Sequence, residues 1–411
     1  MSRAAAVLKD GARVSDHISL GVIGGAIPAE TVRRVLRETG REGVRSRDLP
    51  AHVVVYYVIA MSLFMQVSCR EVLRCLMEGA SWLARKGEGV RISTRGGISR
   101  ARERVGSEPL ESLHDEVVRP IAIRCDGRET CGAWYRRWRV VSLDGATLDV
   151  ADTKENDAEF GRPGSKSGHS AFPQIRFVSL VENGTHVLFG TRMSGCRTSE
   201  AALAPDVINS LDGNMVCLAD RGFFSFNLWL NAIDTGAALV WRVKSNMLLP
   251  CTKRLPDGSY LSEIFHTQKD RRSKNAPITV RVIEYTIDGL PGSEKLYRLI
   301  TNVLAPQEAP APELAALYHQ RWEIETAFDE FKTHLRGANI VLRSKRPDLV
   351  RQEFYGLLMA HFAIRGIMHE AALKAGLDPD RLSFTHTLRV LRRKIQTTPI
   401  PIPPSAPETN P

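Results

Sequence analysis

Apolar positions recur along this chain with two different periods. Up to about residue 135 they return every three to four positions. The stretches 28–40, 51–65 and 69–79 are each closed by Gly, Pro or polar turns, which predicts a small helical domain over residues 1–135. The middle stretch, AHVVVYYVIAMSLFM, is apolar on nearly every side and predicts a buried helix. His52, Tyr56 and Tyr57 interrupt it, and it falls short of the ~20 residues that cross a bilayer. A last helix is predicted over residues 99–105, after Gly96 and Gly97. From Arg139 the period shortens to two: residues 140–150, 175–181, 186–191 and 215–219 are short apolar or alternating runs separated by Gly or Asn turns. A helix at residues 199–211 falls among these strands, so a mixed α/β core is predicted over residues 136–236.

Further strand-like runs at 238–243, 278–285 and 296–301 lie in a segment rich in Lys, Arg, Gly and Pro, which predicts a β-rich insertion over residues 237–305. Helical patterning resumes at Ala311 and runs through Lys394, placing the C-terminal helices of the core at 306–396. The tail 397–411 is too proline-rich to pack and is expected to be disordered.

Composition narrows the classes. At ~150 residues per domain, 411 residues allow two or three domains, and 43% hydrophobic with 25% charged residues excludes a disordered or fibrous chain. The N-terminus has no apolar core followed by a small-residue cleavage site, so a cytoplasmic location is expected. Seven cysteines without a C-x-x-C pair predict free thiols; Cys125 and Cys131, with His114 upstream, are read as packing or surface residues over a zinc site.

The net charge of +10 is uneven. Arg91, Arg95, Arg100, Arg102 and Arg104 face only Glu103, while Lys332, Arg336, Arg343, Lys345, Arg346 and Arg351 face only Asp348. Such clusters suit a polyanion, because each neutralised phosphate releases condensed counterions; a solvated basic surface is the alternative. The helix carrying Arg100, Arg102 and Arg104 has a layout compatible with a DNA groove, or with an exposed arginine-rich face that binds nothing.

The segment from Tyr318 to Lys332 carries the most chemistry. At about 100° per residue, Arg321, Glu325 and Lys332 fall within roughly 60° of Tyr318 on a helix, and Leu317, Ile324, Phe328, Phe331 and Leu335 form the apolar stripe beside them. Taken alone, Arg321 and Glu325 also read as an i, i+4 surface ion pair worth ~0.3–0.5 kcal/mol. Two aspartates end strand-like runs, Asp144 in VVSLDGATL and Asp220 in MVCLADRGF. Singly, each reads as a turn or cap residue. Together, three carboxylates from two strands and a helix form a set able to hold two Mg²⁺ ions about 3.5–4 Å apart for phosphodiester chemistry, with Arg321 and Lys332 gripping phosphate.

These residues resemble the DDE transposases of insertion sequence 4 type. The spacing Y-x2-R-x3-E-x6-K over Tyr318, Arg321, Glu325 and Lys332 matches that family's signature, and Asp144-Gly145-Ala146 and Ala219-Asp220-Arg221-Gly222-Phe223 match its aspartate motifs. The resemblance extends over nearly the whole chain, including residues 17–21 and 69–73 toward the N-terminus and 171–200 in the core. It implies a ribonuclease H-like mixed-sheet core with a β-rich insertion and an N-terminal helical DNA-binding domain. It further implies Asp144, Asp220 and Glu325 as catalytic ligands of two Mg²⁺ ions, with Mn²⁺ able to substitute, and Tyr318, Arg321 and Lys332 as phosphate contacts. The implied activity is cut-and-paste transposition: hydrolysis at the element's ends, then attack of a 3′ hydroxyl on target DNA by a homodimer, in a bacterial, nucleoid-associated setting. Where some relatives stack a Trp on a flipped base, this chain has Tyr297, which reads either as a stacking residue or as a strand tyrosine facing the core. A cleavage-dead DNA-binding remnant and a stand-alone nuclease are the competing readings. The run 164–168, GSKSG, lacks the glycine a phosphate loop needs before its lysine and reads as a mobile polar loop.

Overall fold

A computed structural model describes residues 20–43, 49–79, 95–125, 127–165, 168–286, 296–338 and 340–393. The predicted tail lies outside the described residues. Among the described residues six helices come first: α1 (Leu20–Ala26), α2 (Ala29–Glu38), α3 (Ala51–Leu63), α4 (Cys69–Gly79), α5 (Arg95–Val105) and α6 (Glu108–Val117). Pro28 and Pro50 stand just before α2 and α3 in extended backbone, where a proline interrupts no helical hydrogen bond. Every residue of α3 from Val53 to Leu63 is buried, as a helix apolar on all sides requires.

A small hairpin of β1 (Arg124–Cys125) and β2 (Arg128–Glu129), then β3 (Trp134–Tyr135), leads into β4 (Trp138–Asp149). Next come α7 (Lys154–Phe160), capped by the Thr153 side chain, and β5 (Gly164–Ser165) with β6 (Gly168–His169). Gly164–Ser165 pairs antiparallel with Gly168–His169, and residues 166 and 167 of the run expected as a loop lie outside the described residues. There follow β7 (Gln174–Glu182), β8 (Val187–Gly195), α8 (Glu200–Ile208), β9 (Met215–Ala219), α9 (Phe226–Asp234) and β10 (Ala238–Arg242). Ser199 and Ser225 cap α8 and α9 by accepting hydrogen bonds from Ala202 N and Leu228 N.

The strand order β8-β7-β4-β9-β10, antiparallel across β8, β7 and β4 and parallel across β4, β9 and β10, is that of a ribonuclease H-like core. Consecutive residues of the central strands feed two cores. Met215, Cys217, Ala219, Leu239 and Trp241 enter the larger one, while Val216, Leu218, Ala238 and Val240 enter the smaller. Strands covered on both faces therefore read as unbroken apolar runs.

Pairing moves one sequence boundary. Residues 238–243 were expected in the insertion, yet β10 lies parallel to β9 and completes the core. The insertion begins after it, with β11 (Lys253–Arg254), β12 (Tyr260–Ile264), α10 (Gln268–Ser273), β13 (Ile278–Tyr285) and β14 (Tyr297–Thr301). β14 pairs antiparallel with β10, and β13, β12 and β11 lie successively outward, so the insertion widens the core sheet to ten strands. The fully buried Arg281 fastens the insertion to residues 309–311. Its guanidinium donates to Ser259 Oγ at 2.8 Å and Ala309 O at 2.7 Å and pairs with Asp257, which also accepts from Ala311 N at 2.8 Å.

Ala311 opens α11 (Ala311–His319). The chain then passes through a 3-10 turn (Gln320–Trp322), α12 (Glu323–Asp329) and a π-helical turn (Glu330–Leu335) before α13 (Pro347–Ala375) and α14 (Phe384–Arg393). Phe177 of β7 packs its ring against Phe328, Phe331 and Phe354 at 5.4, 5.7 and 5.3 Å, pinning this segment to the sheet. α13 also lies against α3. A Cβ added at Gly356 would sit 3.0 Å from Val58 O, so the two backbones meet where a side chain has no room. The N-terminal helices and the sheet consequently share one continuous apolar core.

Candidate active site

The sheet register delivers the two aspartates together. Leu143 of β4 faces Ala219 of β9, so the next residue on each of these adjacent strands, ~4.8 Å apart, is an aspartate: Asp144 and Asp220. Asp144 Oδ1 accepts from Gly145 N at 2.8 Å. Burial, above all, holds the Asp144 carboxyl above the usual carboxylate range; Gly145 N–H and Arg321 pull it down, and the charge of Asp220 adds to the rise.

The helical segment that begins in the last turn of α11 reaches all three acids. Tyr318 Oη donates to Asp220 Oδ1 at 3.4 Å, Arg321 Nη1 to Asp144 Oδ2 at 3.1 Å, and Arg321 Nη2 stands 3.8 Å from Glu325 Oε1. Arg321 is not merely half of a surface i, i+4 pair, because its side chain is 11% exposed and bridges two carboxylates from different elements. Burial raises the Tyr318 phenol well above its ordinary range, which keeps it a proton donor.

The uniform helical stripe expected for this segment does not carry through. Arg321 lies in the 3-10 turn and Lys332 in the π turn, and each departs from 100° per residue. The Lys332 ammonium stands 6.0 Å from the Phe328 ring, and among the described residues no hydrogen bond or ion pair joins it to the three acids.

Two groups beside the acids escaped the sequence reading. Arg242 Nη1 lies 3.7 Å from Asp220 Oδ1, and its guanidinium covers the Tyr297 ring at 4.7 Å. Tyr297 in turn stacks on Tyr285 at 5.3 Å, half-buried in an aromatic pair on the sheet. Glu200, in the first turn of α8, lies over Gly145. A Cβ there would come within 2.5 Å of Glu200 Cδ, and burial first, then the charge of Asp144, raises this carboxyl too. Nothing in the local pattern marks either residue, since Arg242 reaches the site through strand pairing and Glu200 through the placement of α8 over β4.

The basic clusters are partly spent inside the protein. On α5, Arg100 and Arg104 are exposed, but Arg102 is not. It is 6% exposed and donates to Gln352 Oε1 at 3.1 Å, Ser344 Oγ at 3.1 Å and Leu349 O at 2.8 Å, so it leaves the DNA-facing set. In the second cluster, Arg336 is buried, Arg343 donates to backbone carbonyls of residues 61–67, and Arg346 and Arg351 pair with Glu103 and Glu159. Those acids are distant in sequence, which is why the cluster looked unopposed. Cys125 and Cys131 are exposed, whereas His114 is fully buried with Nδ1 3.0 Å from Asp115, so the three form no zinc set.

The three catalytic candidates are not drawn to single-ion spacing, and Arg321 stands between two of them. Among the described residues, the metal-capable group whose ligand atoms all lie within 4.8 Å of one another is His186, Glu323 and Asp380. No described helix is long and apolar enough to cross a membrane.

Comparison with known proteins agrees with this architecture. Residues 17–115 match the family described as insertion element 4 transposase N-terminal, and residues 137–363 match the transposase DDE domain. The transposase InsG for insertion sequence element IS4, from Escherichia coli (strain K12), is 27% identical over 384 residues, covering 91% of this chain and 83% of the relative. A cryo-EM structure of the piggyBac transposase synaptic complex with hairpin DNA superposes with a TM-score of 0.45 at 12% identity, covering 92% of this chain and 80% of that one. With the DDE domain spanning more than half of its length and the matching N-terminal domain before it, the chain belongs to the DDE transposases of insertion sequence 4 type.

Proposed function

We propose that this transposase cuts and joins DNA at Asp144, Asp220 and Glu325, with two Mg²⁺ ions, Mn²⁺ substituting. The observation that carries the reading is that one short segment, residues 318–325, touches all three acids through Tyr318 and Arg321 and supplies the third itself. The donor set fits the metal. Three carboxylates offer hard oxygens to a hard cation, and Asp144, desolvated beside Asp220, has Arg321 as its cationic partner. When bound, paired divalent ions activate the attacking oxygen and stabilise the departing one.

The chain's own residues do the rest. The β4 and β9 backbones fix Asp144 and Asp220 side by side, and α12 brings Glu325 to them. Arg321 neutralises the acids in the free protein and is placed to turn its planar fork toward phosphate once they are otherwise compensated. Tyr318 orients Asp220 and can donate to a phosphate oxygen. Lys332 contacts DNA from its π turn, and Tyr297 is available to stack on a base if Arg242 withdraws from its face. The exposed Arg100 and Arg104 on α5 contribute to holding the element's ends. The reaction is hydrolysis at both ends followed by 3′-hydroxyl transfer into target DNA, with two copies of the chain pairing two ends.

A supercoiled plasmid carrying the element's ends tests this. Cleavage and strand-transfer products are expected with Mg²⁺ and none with EDTA, Asp144→Asn or Glu325→Gln. Undiminished cutting by either variant would falsify the assignment, and hydrolysis without joined products would make the protein a nuclease only.

A further inference from the structure

We propose a second metal site, distinct from the three acids, in which His186 Nε2 and the carboxylates of Glu323 and Asp380 bind a first-row transition ion of the Zn²⁺ class. His186 ends the turn between β7 and β8, Glu323 begins α12, and Asp380 lies in the 3-10 turn Pro379–Arg381 after α13. One ligand atom from each lies within 4.8 Å of the others.

The imidazole is prepared for a cation. His186 is 3% exposed, and its Nδ1 stands 3.3 Å from Oε1 of the buried Glu330, which also faces Arg365 at 3.3 Å and His361 at 3.5 Å. A carboxylate at Nδ1 accepts a hydrogen bond from Nδ1–H and leaves the lone pair on Nε2, the arrangement by which metal-bound histidines are oriented. That Nε2 is buried and makes no hydrogen bond, although Asp380 Oδ1 lies 3.2 Å away. A lone pair facing a carboxylate oxygen at that distance is repulsive until a cation comes between them. Glu323 completes the set, with Oε2 already oriented by Gly184 N at 2.6 Å.

Charge points the same way. Glu330 and Asp380 share one guanidinium, that of Arg365. One imidazole nitrogen with two carboxylates selects Zn²⁺, Co²⁺ or Mn²⁺ over Mg²⁺ or Ca²⁺, which favour all-oxygen shells. An ion here would tie the β7–β8 turn and the end of α13 to the helix that carries Glu325. It acts as a fastener for that helix and takes no part in the reaction, so the site stands whether or not the proposed chemistry does.

The test uses the full chain carrying Asp144→Asn and Asp220→Asn, stripped with chelator and dialysed against Zn²⁺ or titrated with Co²⁺. One equivalent of retained Zn²⁺, a visible Co²⁺ absorption band and a Zn²⁺-dependent rise in melting temperature are expected. All three should disappear in Asp380→Asn, whose exposed side chain can change without disturbing the core, and in His186→Ala. No stoichiometric Zn²⁺, or one equivalent retained by both variants, overturns the proposal.

Discussion

Arg102→Ala is expected to lower the melting temperature of the protein, whereas Arg100→Ala, on the same helix, should leave it unchanged. Arg102 donates to three internal acceptors at 2.8–3.1 Å and is 6% exposed. Hydrogen bonds from a charged donor contribute ~1.5–3 kcal/mol each, and recovering the hydration of the guanidinium offsets part of the sum. Leaving Gln352, Ser344 and Leu349 without their donor, plus the cavity, gives a net loss of about 3 kcal/mol. With an unfolding entropy of ~2.1 cal/mol/K per residue over 411 residues, that is a shift of roughly 3–4 °C. Differential scanning calorimetry at two scan rates reads the shift, and a salt titration of binding to end DNA reads the other role. Removing one phosphate-bound cation reduces the slope of log K against log salt by ~0.9. Arg100→Ala should change that slope with melting constant within ~1 °C. An Arg102→Ala protein that melts with the parent yet shows the reduced slope would refute the reasoning.

Three further outcomes are expected from the geometry. Gly145→Ala should displace the flexible end of Glu200 and alter divalent-ion binding with little loss of stability, while Gly195→Ala, whose Cβ would lie 2.6 Å from Phe160 O, should destabilise strongly; melting curves with and without Mg²⁺ separate the two. Asp257 is held below the usual carboxylate range: burial acts to raise it, but the Ser259 hydroxyl, the Ala311 N–H and Arg281 outweigh burial. Its stabilisation is therefore full above the unfolded value of ~3.9 and lost as pH falls through the lower folded value, so Asp257→Asn should be less stable at neutral pH and flatter in acid denaturation. Arg321→Gln removes the cation between Asp144 and Glu325, so metal-free protein should melt lower and gain more on adding Mg²⁺; an unchanged increment would mean that Arg321 does not compensate those acids.

Much of the fold was legible because its signals are local. β9 and β13 begin and end where the alternation does, and Ser199 announces α8 as a cap. The three acids were singled out through the family signature, and strand register places Asp144 beside Asp220. What escaped depends on distant pairing. Whether residues 238–242 belong to the core or the insertion is settled by a parallel ladder to β9, which no local period encodes. Arg102 looks like its neighbours until α13 covers it. Arg242 reaches the site through strand pairing and Glu200 from α8, and the 3-10 and π turns interrupt the helical period on either side of Glu325. The acids opposing the second basic cluster, Glu103 and Glu159, lie some two hundred residues upstream.

At 1.5 Å per residue the 29 residues of α13 make a rod about 44 Å long, with its flank against the sheet and against α3. Neither portion of the chain closes its interior without that rod, so severing the polypeptide between α6 and β4 should yield two pieces that fold only by reassociating. The span from the outward side of α5 to the carboxylates is then set once, when the molecule folds. It works as a ruler.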